Sequence, residues 1–186
     1  MREEVKCMTT YEMDSAYVRR CHKRLLEWGA PLSGWYCEYV YDVTGGGDDV
    51  GSSELFTCEL CNCQQVRFVH VMRHDAYFEP VEVGCICAGI MEGNILAAKE
   101  RERVMKNRAK RKQNFPYREW YKNRYGSYQL TYQGKKVFIN CKGNNQYSVY
   151  VNGVTSQTYK NKPINSFVSA AYAAFELADP VKIICR

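Results

Sequence analysis

The sequence predicts a protein of the α+β class, built from two small modules and a basic helix between them. Helical periodicity occurs near both ends and in the middle of the chain, and runs of alternating residues typical of antiparallel strands lie between these stretches. Cysteines and positive charge are each concentrated in one segment. A length of 186 residues suits one or two small domains. We therefore expect three regions, residues 1–93, 94–125 and 126–186.

The N-terminal region is predicted to begin with a helix over residues 15–28 and a strand over residues 35–43. Four apolar residues recur at helical spacing and form a packing stripe, namely Tyr17, Cys21, Leu25 and Trp28. In this interpretation Cys21 is a small core residue, as isolated thiols usually are.

The centre of the chain has the residues of a zinc site. Five of the ten cysteines lie between Cys58 and Cys87, in a leading Cys-x-x-Cys and a trailing Cys-x-Cys, with His70 and His74 between them. Thiolates and imidazoles in separated pairs are the usual ligands of tetrahedral zinc. A predicted hairpin follows the first pair, and helical pattern begins near Cys87. This is the order of a treble clef, so we expect a small treble-clef-like module that binds Zn2+.

The expected ligands are Cys58, Cys61, Cys85 and Cys87. Cys85 is favoured as the fourth because Cys-x-Cys can place both thiolates on one metal, while His74 and His70 remain alternatives. A closed four-ligand site would be structural, since it leaves no position for a reacting water.

Cysteine clustering also bears on the compartment. No apolar run is long enough to cross a bilayer, and the charged N-terminus lacks the apolar segment of a signal peptide. Secreted disulfide frameworks spread their cysteines along the chain, whereas these are grouped. We expect a cytoplasmic protein of a bacterium or a phage-infected cell.

The middle region carries the positive charge. Eleven Lys and Arg residues against three Glu give the segment 99–124 a net charge of +8, which exceeds the +6 of the whole chain. Such a segment is typical of a surface that meets phosphates. The candidate contacts are Lys99, Arg101, Arg103, Lys106, Arg108, Lys110, Arg111, Lys112, Arg118, Lys122 and Arg124.

The last region predicts a three-stranded antiparallel sheet with one packed helix. Three alternating runs are separated by turns at Gly134 and at residues 143–145, and Asn152-Gly153 is a strong hairpin signal. An Ala-rich stripe then predicts a helix that Asn165 or Ser166 caps and that stops before Pro180. The polar sheet face offers candidates for contact with bases, namely Gln129, Lys136, Asn140, Ser148, Tyr150 and Asn152.

The chain resembles a family of small bacterial and phage zinc-binding proteins in three stretches. These are Gly34-Trp-x-Cys37, the block 58–74, and Val83-Gly-Cys-Ile-Cys-Ala-Gly89 with the basic helix after it. The resemblance implies a metal site but no activity, and related sequences place His at the position of Ile90. Residues 127–178 separately resemble the β3α units of AP2-type and integrase-arm DNA-binding domains.

These observations favour a non-enzymatic nucleic-acid-binding protein, with DNA preferred over RNA as the partner. An accessory or inhibitor protein that binds an acidic protein partner is the main alternative. An HNH-like nuclease is a second alternative, in which His70 or His74 would act as general base. The helix after Cys87 offers Glu92 and Asn94 but no histidine for a catalytic metal, so we assign no catalytic residue.

Overall fold

The computed structural model describes residues 15–45 and 55–181. Helices and antiparallel sheets occur together in it, which confirms the α+β class. The chain divides into two compact units, one reaching Arg108 and the other beginning at Ala109. This division falls inside the helix that spans Ile95–Gln113, within the segment 94–125.

The first unit combines three helices with a three-stranded antiparallel sheet in the order β1-β2-β3. The bounds of these elements are α1 (Ser15–Glu27), β1 (Tyr36–Asp42), β2 (Phe68–His74), β3 (Tyr77–Val83), α2 (Cys85–Glu92) and α3 (Ile95–Gln113). The last of these helices continues into the second unit.

Strand β2 is the centre of the first unit. Its residues from Phe68 to Met72 are all buried, as expected for a β-branched and aromatic run in a central strand. Helix α2 packs close to the start of α3, where Gly89 lies so near Ile95 that no side chain would fit between the two backbones. Gly93, at φ +71°, ends α2 in the left-handed conformation that glycine tolerates best.

The second unit has a five-stranded antiparallel sheet in the order β4-β5-β6-β7-β8, two strands more than the sequence predicted. A 3-10 turn (Phe115–Tyr117) precedes the sheet, and a separate β9-β10 hairpin and one helix follow it. The bounds are β4 (Tyr121–Lys122), β5 (Tyr128–Tyr132), β6 (Lys135–Cys141), β7 (Tyr147–Val151), β8 (Val154–Ser156), β9 (Thr158–Tyr159), β10 (Lys162–Pro163) and α4 (Phe167–Ala178).

Turn chemistry sets the path of this sheet. Asn152 at φ +50° and Gly153 at φ +93° form the two-residue hairpin that joins β7 to β8. Ser166 caps α4, because its Oγ accepts a hydrogen bond from the backbone N–H of Ser169 at 3.1 Å.

One face of the five-stranded sheet packs against α4. Alternate strand residues such as Val137 and Val149 are fully buried there, together with the alanine stripe of the helix. Phe115 joins this core through edge-to-face contacts with Trp120 and Phe175, at centroid distances of 5.5 and 5.3 Å. The intervening residues of the same strands lie on the other face of the sheet, away from α4.

Candidate metal centre and nucleic-acid interface

A tight turn presents the first two cysteines. The backbone N–H of Cys58 donates to the Cys63 carbonyl at 2.9 Å, and the N–H of Asn62 donates to the Cys58 carbonyl at 2.8 Å. Asn62 takes a positive φ of 58°, which Asn tolerates better than most residues. A bridge between Phe56 and Val66 closes the turn at its base. The thiols of Cys58 and Cys61 consequently lie close together.

Helix α2 brings the third cysteine. Cys87 is the third residue of α2, and its Sγ lies within 4.8 Å of those of Cys58 and Cys61. Two of these three thiols are almost fully buried, with Cys58 0% and Cys87 2% exposed. Thiols at these separations could hold a metal ion, since sulfurs around tetrahedral zinc lie about 3.8 Å apart. We call Cys58, Cys61 and Cys87 the cysteine trio.

Mutual contact sets the acidity of these thiols. Hydrogen bonds from Cys58 and Cys87 lower the pKa of Cys61, and contacts with other cysteines together with burial raise the pKa of Cys87. One sulfur is therefore stabilised as a thiolate at the expense of its neighbours. A bound cation would allow all of them to ionise together, as metal coordination does for thiols generally.

Cys85, favoured from sequence as the fourth ligand, is not part of the trio. It is the first residue of α2, and residues two apart on a helix point in nearly opposite directions. Burial, with a further contribution from the Glu102 carboxylate, raises the pKa of the Cys85 thiol to about 12. The structure therefore places this thiol away from Cys87.

Neither histidine joins the trio. His70 is fully buried in β2, and its Nε2 lies 3.3 Å from the Ala98 carbonyl. His74 accepts a hydrogen bond at Nδ1 from the N–H of Ala76 and packs against Trp35 at 5.4 Å between ring centroids. Burial therefore encloses the His70 side chain within the first unit.

Helix α1 supplies two residues that the sequence analysis assigned only to packing. The hydroxyl of Tyr17 lies 3.1 Å from Cys87 Sγ. Cys21, one turn later on the same face of α1, is 2% exposed. Both residues were visible as part of a helical stripe, but no local pattern indicated that the stripe faces the cysteines.

The basic residues of α3 are extensively neutralised by ion pairs. Arg101 pairs with Glu92 in a largely buried contact, and Lys112 is 2% exposed with its Nζ 2.7 Å from a Glu176 oxygen. The other pairs are Arg103–Glu100, Lys106–Glu102 and Arg111–Asp179. Lys99 and Arg108 also have interactions of their own, and Lys110 is exposed. The surface charge of this helix is therefore much smaller than its composition suggests.

The remaining predicted contacts lie in the second unit. Arg118, Lys122 and Arg124 each place a cation over a tyrosine ring at 4.8 to 5.4 Å. Lys136 is exposed on the outer face of β6, and Tyr150 is 39% exposed on the same face of β7. Ser148, also predicted to meet bases, is buried at 4% exposed. Asn152, in the turn after β7, is also exposed, whereas Gln129 and Asn140 are half-buried.

No family model, curated protein or solved structure matches this chain. Across residues 15–45 and 55–181, no helix has both the length and the apolar character needed to cross a bilayer.

Proposed function

We propose that this protein is a zinc-stabilised, non-enzymatic nucleic-acid-binding protein whose C-terminal sheet stacks on unpaired bases of DNA. The observation that carries the proposal is a row of side chains across the outer face of the five-stranded sheet. The proposed zinc site, with the cysteine turn, hairpin and helix around it in treble-clef order, would stabilise the first unit by linking these elements.

The row follows directly from strand register. Tyr121 pairs with Gln129, Gln129 with Phe138, Phe138 with Tyr150, and Tyr150 with Thr155. Gln129, Phe138 and Tyr150 lie on the face opposite α4, because the residues on either side of each pack in the core with the helix. Tyr121 and Thr155 extend the row at its two ends through their register with Gln129 and Tyr150. We call these five residues, three of which are aromatic, the aromatic row.

Exposure distinguishes the aromatic row from a second core. Tyr121 is 65% and Tyr150 39% exposed, and the rings of Phe138 and Tyr150 contact each other at 5.9 Å between centroids. The row crosses five strands, a distance of about 19 Å at the usual strand spacing. Exposed aromatic rings along a polar sheet face are the platform on which unpaired bases stack.

A depression beside the row supplies a positive charge. It has a volume of about 310 Å³ and is lined by Tyr121, Gln129, Leu130, Thr131, Lys136 and Phe138. Lys136 stands opposite Thr131 in the register and lines the depression together with Tyr121 and Phe138. A cation next to a stacking surface suits the phosphate that follows each stacked base.

The test is fluorescence anisotropy of the zinc-loaded full chain with oligonucleotides of about 15 nucleotides, a length that covers a typical single-strand site. Oligo-dT, the equivalent RNA and duplex DNA are compared at two salt concentrations. We expect oligo-dT to bind more tightly than duplex, with an affinity that falls as salt rises.

Matched variants locate the surface. Phe138→Ala and Tyr150→Ala should each weaken oligo-dT binding by about 5- to 150-fold, the loss that one stacked base represents. Tyr117→Ala and Phe78→Ala remove aromatic rings that are 80% and 96% exposed outside the row, and they should bind like the unmodified chain. Absence of binding to any nucleic acid at low salt would overturn the proposal and direct attention to an acidic protein partner.

A further inference from the structure

We infer that Cys21 of α1 completes the metal site, so that four thiolates from Cys21, Cys58, Cys61 and Cys87 bind one Zn2+. This inference rests on the zinc component of the proposed function and specifies its ligands. It replaces Cys85 by a residue from a different helix, remote in sequence.

The position of α1 is the first argument. Tyr17 and Cys21 are four residues apart in α1, so their side chains share one face of the helix. The contact of 3.1 Å between the Tyr17 hydroxyl and Cys87 Sγ places that face against the trio. Cys21 is 2% exposed, so its side chain is buried on the same side of α1 as the Tyr17 hydroxyl.

A shared cleft is the second argument. Cys21 and Cys61 line the same cleft of about 300 Å³, with Tyr17 and Arg20 on the α1 side and Leu60 on the side of the cysteine turn. Thiols from two elements thus face one space. Four thiolates around one zinc lie about 3.8 Å apart, so a zinc bound beside this cleft would draw Cys21 towards the other three sulfurs.

The polar surroundings suit thiolates, which is the third argument. The backbone N–H of Gly84 donates to Cys58 Sγ at 3.4 Å, and the Tyr17 hydroxyl can donate to Cys87 Sγ. Zinc with four thiolates carries two negative charges, and Arg20 lines the cleft where it offsets part of them. Hydrogen bonds and cations of this kind are the usual support of a metal-bound sulfur.

Helix geometry excludes the rival ligand. Cys85 and Cys87 both lie in the first turn of α2, and moving the Cys85 thiol to the trio would require that turn to unwind. A site of only three thiolates would leave a coordination position open, as in catalytic zinc sites. Cys21 closes the site and makes it structural, and it fastens α1 to the rest of the unit.

The experiment uses Co2+ in place of Zn2+ in the full-length chain. Absorbance from charge transfer between sulfur and cobalt counts the bound thiolates, and the visible bands report tetrahedral geometry. We expect the unmodified chain to show four thiolates per metal. Cys21→Ser should lose one thiolate's share of the charge-transfer intensity, whereas Cys85→Ser and Cys63→Ser should retain all four.

A second variant distinguishes the loss of one ligand from misfolding of Cys21→Ser. Cys21→His offers an imidazole at the same place, so it should keep the tetrahedral bands while the charge-transfer intensity drops by one thiolate. Full intensity in Cys21→Ser combined with a loss in Cys85→Ser would overturn the inference. Failure of the unmodified chain to bind either metal would overturn it as well. Oligo-dT binding is measured separately, so it tests the nucleic-acid proposal independently of the metal.

Discussion

The hydroxyl of Tyr17 lies 3.1 Å from Cys87 Sγ, which joins the first helix of the chain to the helix that carries the third cysteine. In a metal-bound site the sulfur is a thiolate, so the hydroxyl donates the hydrogen bond. This contact links α1 to the cysteine trio, so we expect α1 to affect metal affinity as well as packing.

Tyr17→Phe removes only this donor. Because a hydrogen bond to a ligating sulfur stabilises its negative charge, we expect the affinity for Zn2+ to fall by about 10- to 100-fold while the helix content stays unchanged. Competition with a chromophoric chelator measures the affinity. Tyr39→Phe, at a tyrosine that is 39% exposed on β1, is the matched control. Equal affinities in the two variants would contradict a role for the hydroxyl.

Gly89 is required by the close approach of α2 to α3. A Cβ at this position would lie 2.5 Å from the Cα of Ile95, and a backbone atom cannot move aside as a side chain can. We expect Gly89→Ala to lower the free energy of unfolding by about 3 kcal/mol, at the upper end of overpacking costs. Urea unfolding measures it.

Gly84→Ala is the control for this substitution. Its Cβ would meet Val66 Cγ2 at 3.2 Å, a side-chain atom that can shift slightly. The cost should stay below about 1 kcal/mol. If both variants unfolded at the same urea concentration, the contact between α2 and α3 would not be as tight as the structure shows.

Local patterns predicted much of this fold. The alternating runs of residues 128–151 and the Asn152-Gly153 turn are local signals, and the strands β5, β6 and β7 lie at those runs. Strand β4, in contrast, has only two residues and exists because it pairs with β5. Pairing of this kind depends on the neighbouring strand, so the sequence of β4 alone could not reveal it.

The candidate metal ligands likewise include some that local sequence identifies and some that it does not. Cys-x-x-Cys spacing identifies Cys58 and Cys61 locally. The sequence placed the start of helical pattern near Cys87, whereas α2 begins at Cys85, and this difference turns the Cys85 thiol away from the trio. Cys21 approaches the trio only through the packing of α1. Likewise, counting charges in α3 could not show that Glu176 and Asp179 neutralise two of its cations.

Burial of His70 makes stability depend on pH. Removal from water lowers the pKa of this imidazole below its ordinary value of 6.5, and the nearby Arg101 acts in the same direction, while the Ala98 carbonyl opposes them. The unfolded chain therefore binds a proton below pH 6.5 that the folded chain does not yet accept. The stability associated with neutral His70 is complete above pH 6.5 and is lost as pH falls towards the lowered pKa.

A comparison with His70→Gln isolates this effect. Glutamine can still donate to the Ala98 carbonyl but does not titrate, so the decline in unfolding free energy below pH 6.5 should be shallower in the variant. Urea unfolding at a series of pH values, with the zinc content determined at each, provides the measurement. Parallel pH profiles for the two proteins would show that other groups cause the acid sensitivity.

Lys112 is buried in the second unit, and we expect it to stabilise that unit rather than bind phosphate. Its side chain is 3% exposed, its Nζ lies 2.7 Å from Glu176, and the rings of Tyr159 and Tyr172 lie within 5.7 Å. Lys112→Ala removes both the charge and the buried stem. We expect a loss of about 2–4 kcal/mol, less than for a fully enclosed pair because Glu176 is 36% exposed.

Lys112→Met keeps the apolar stem and should lose less stability than Lys112→Ala, since Glu176 can turn to solvent. Fluorescence of Trp120, which packs against the core of the second unit, follows the unfolding. Lys112→Met should bind oligo-dT with unchanged affinity and salt dependence, whereas Lys136→Ala, at an exposed cation beside the aromatic row, should reduce both. A reduced salt dependence in Lys112→Met would place this lysine on the nucleic acid and refute its assignment to the interior.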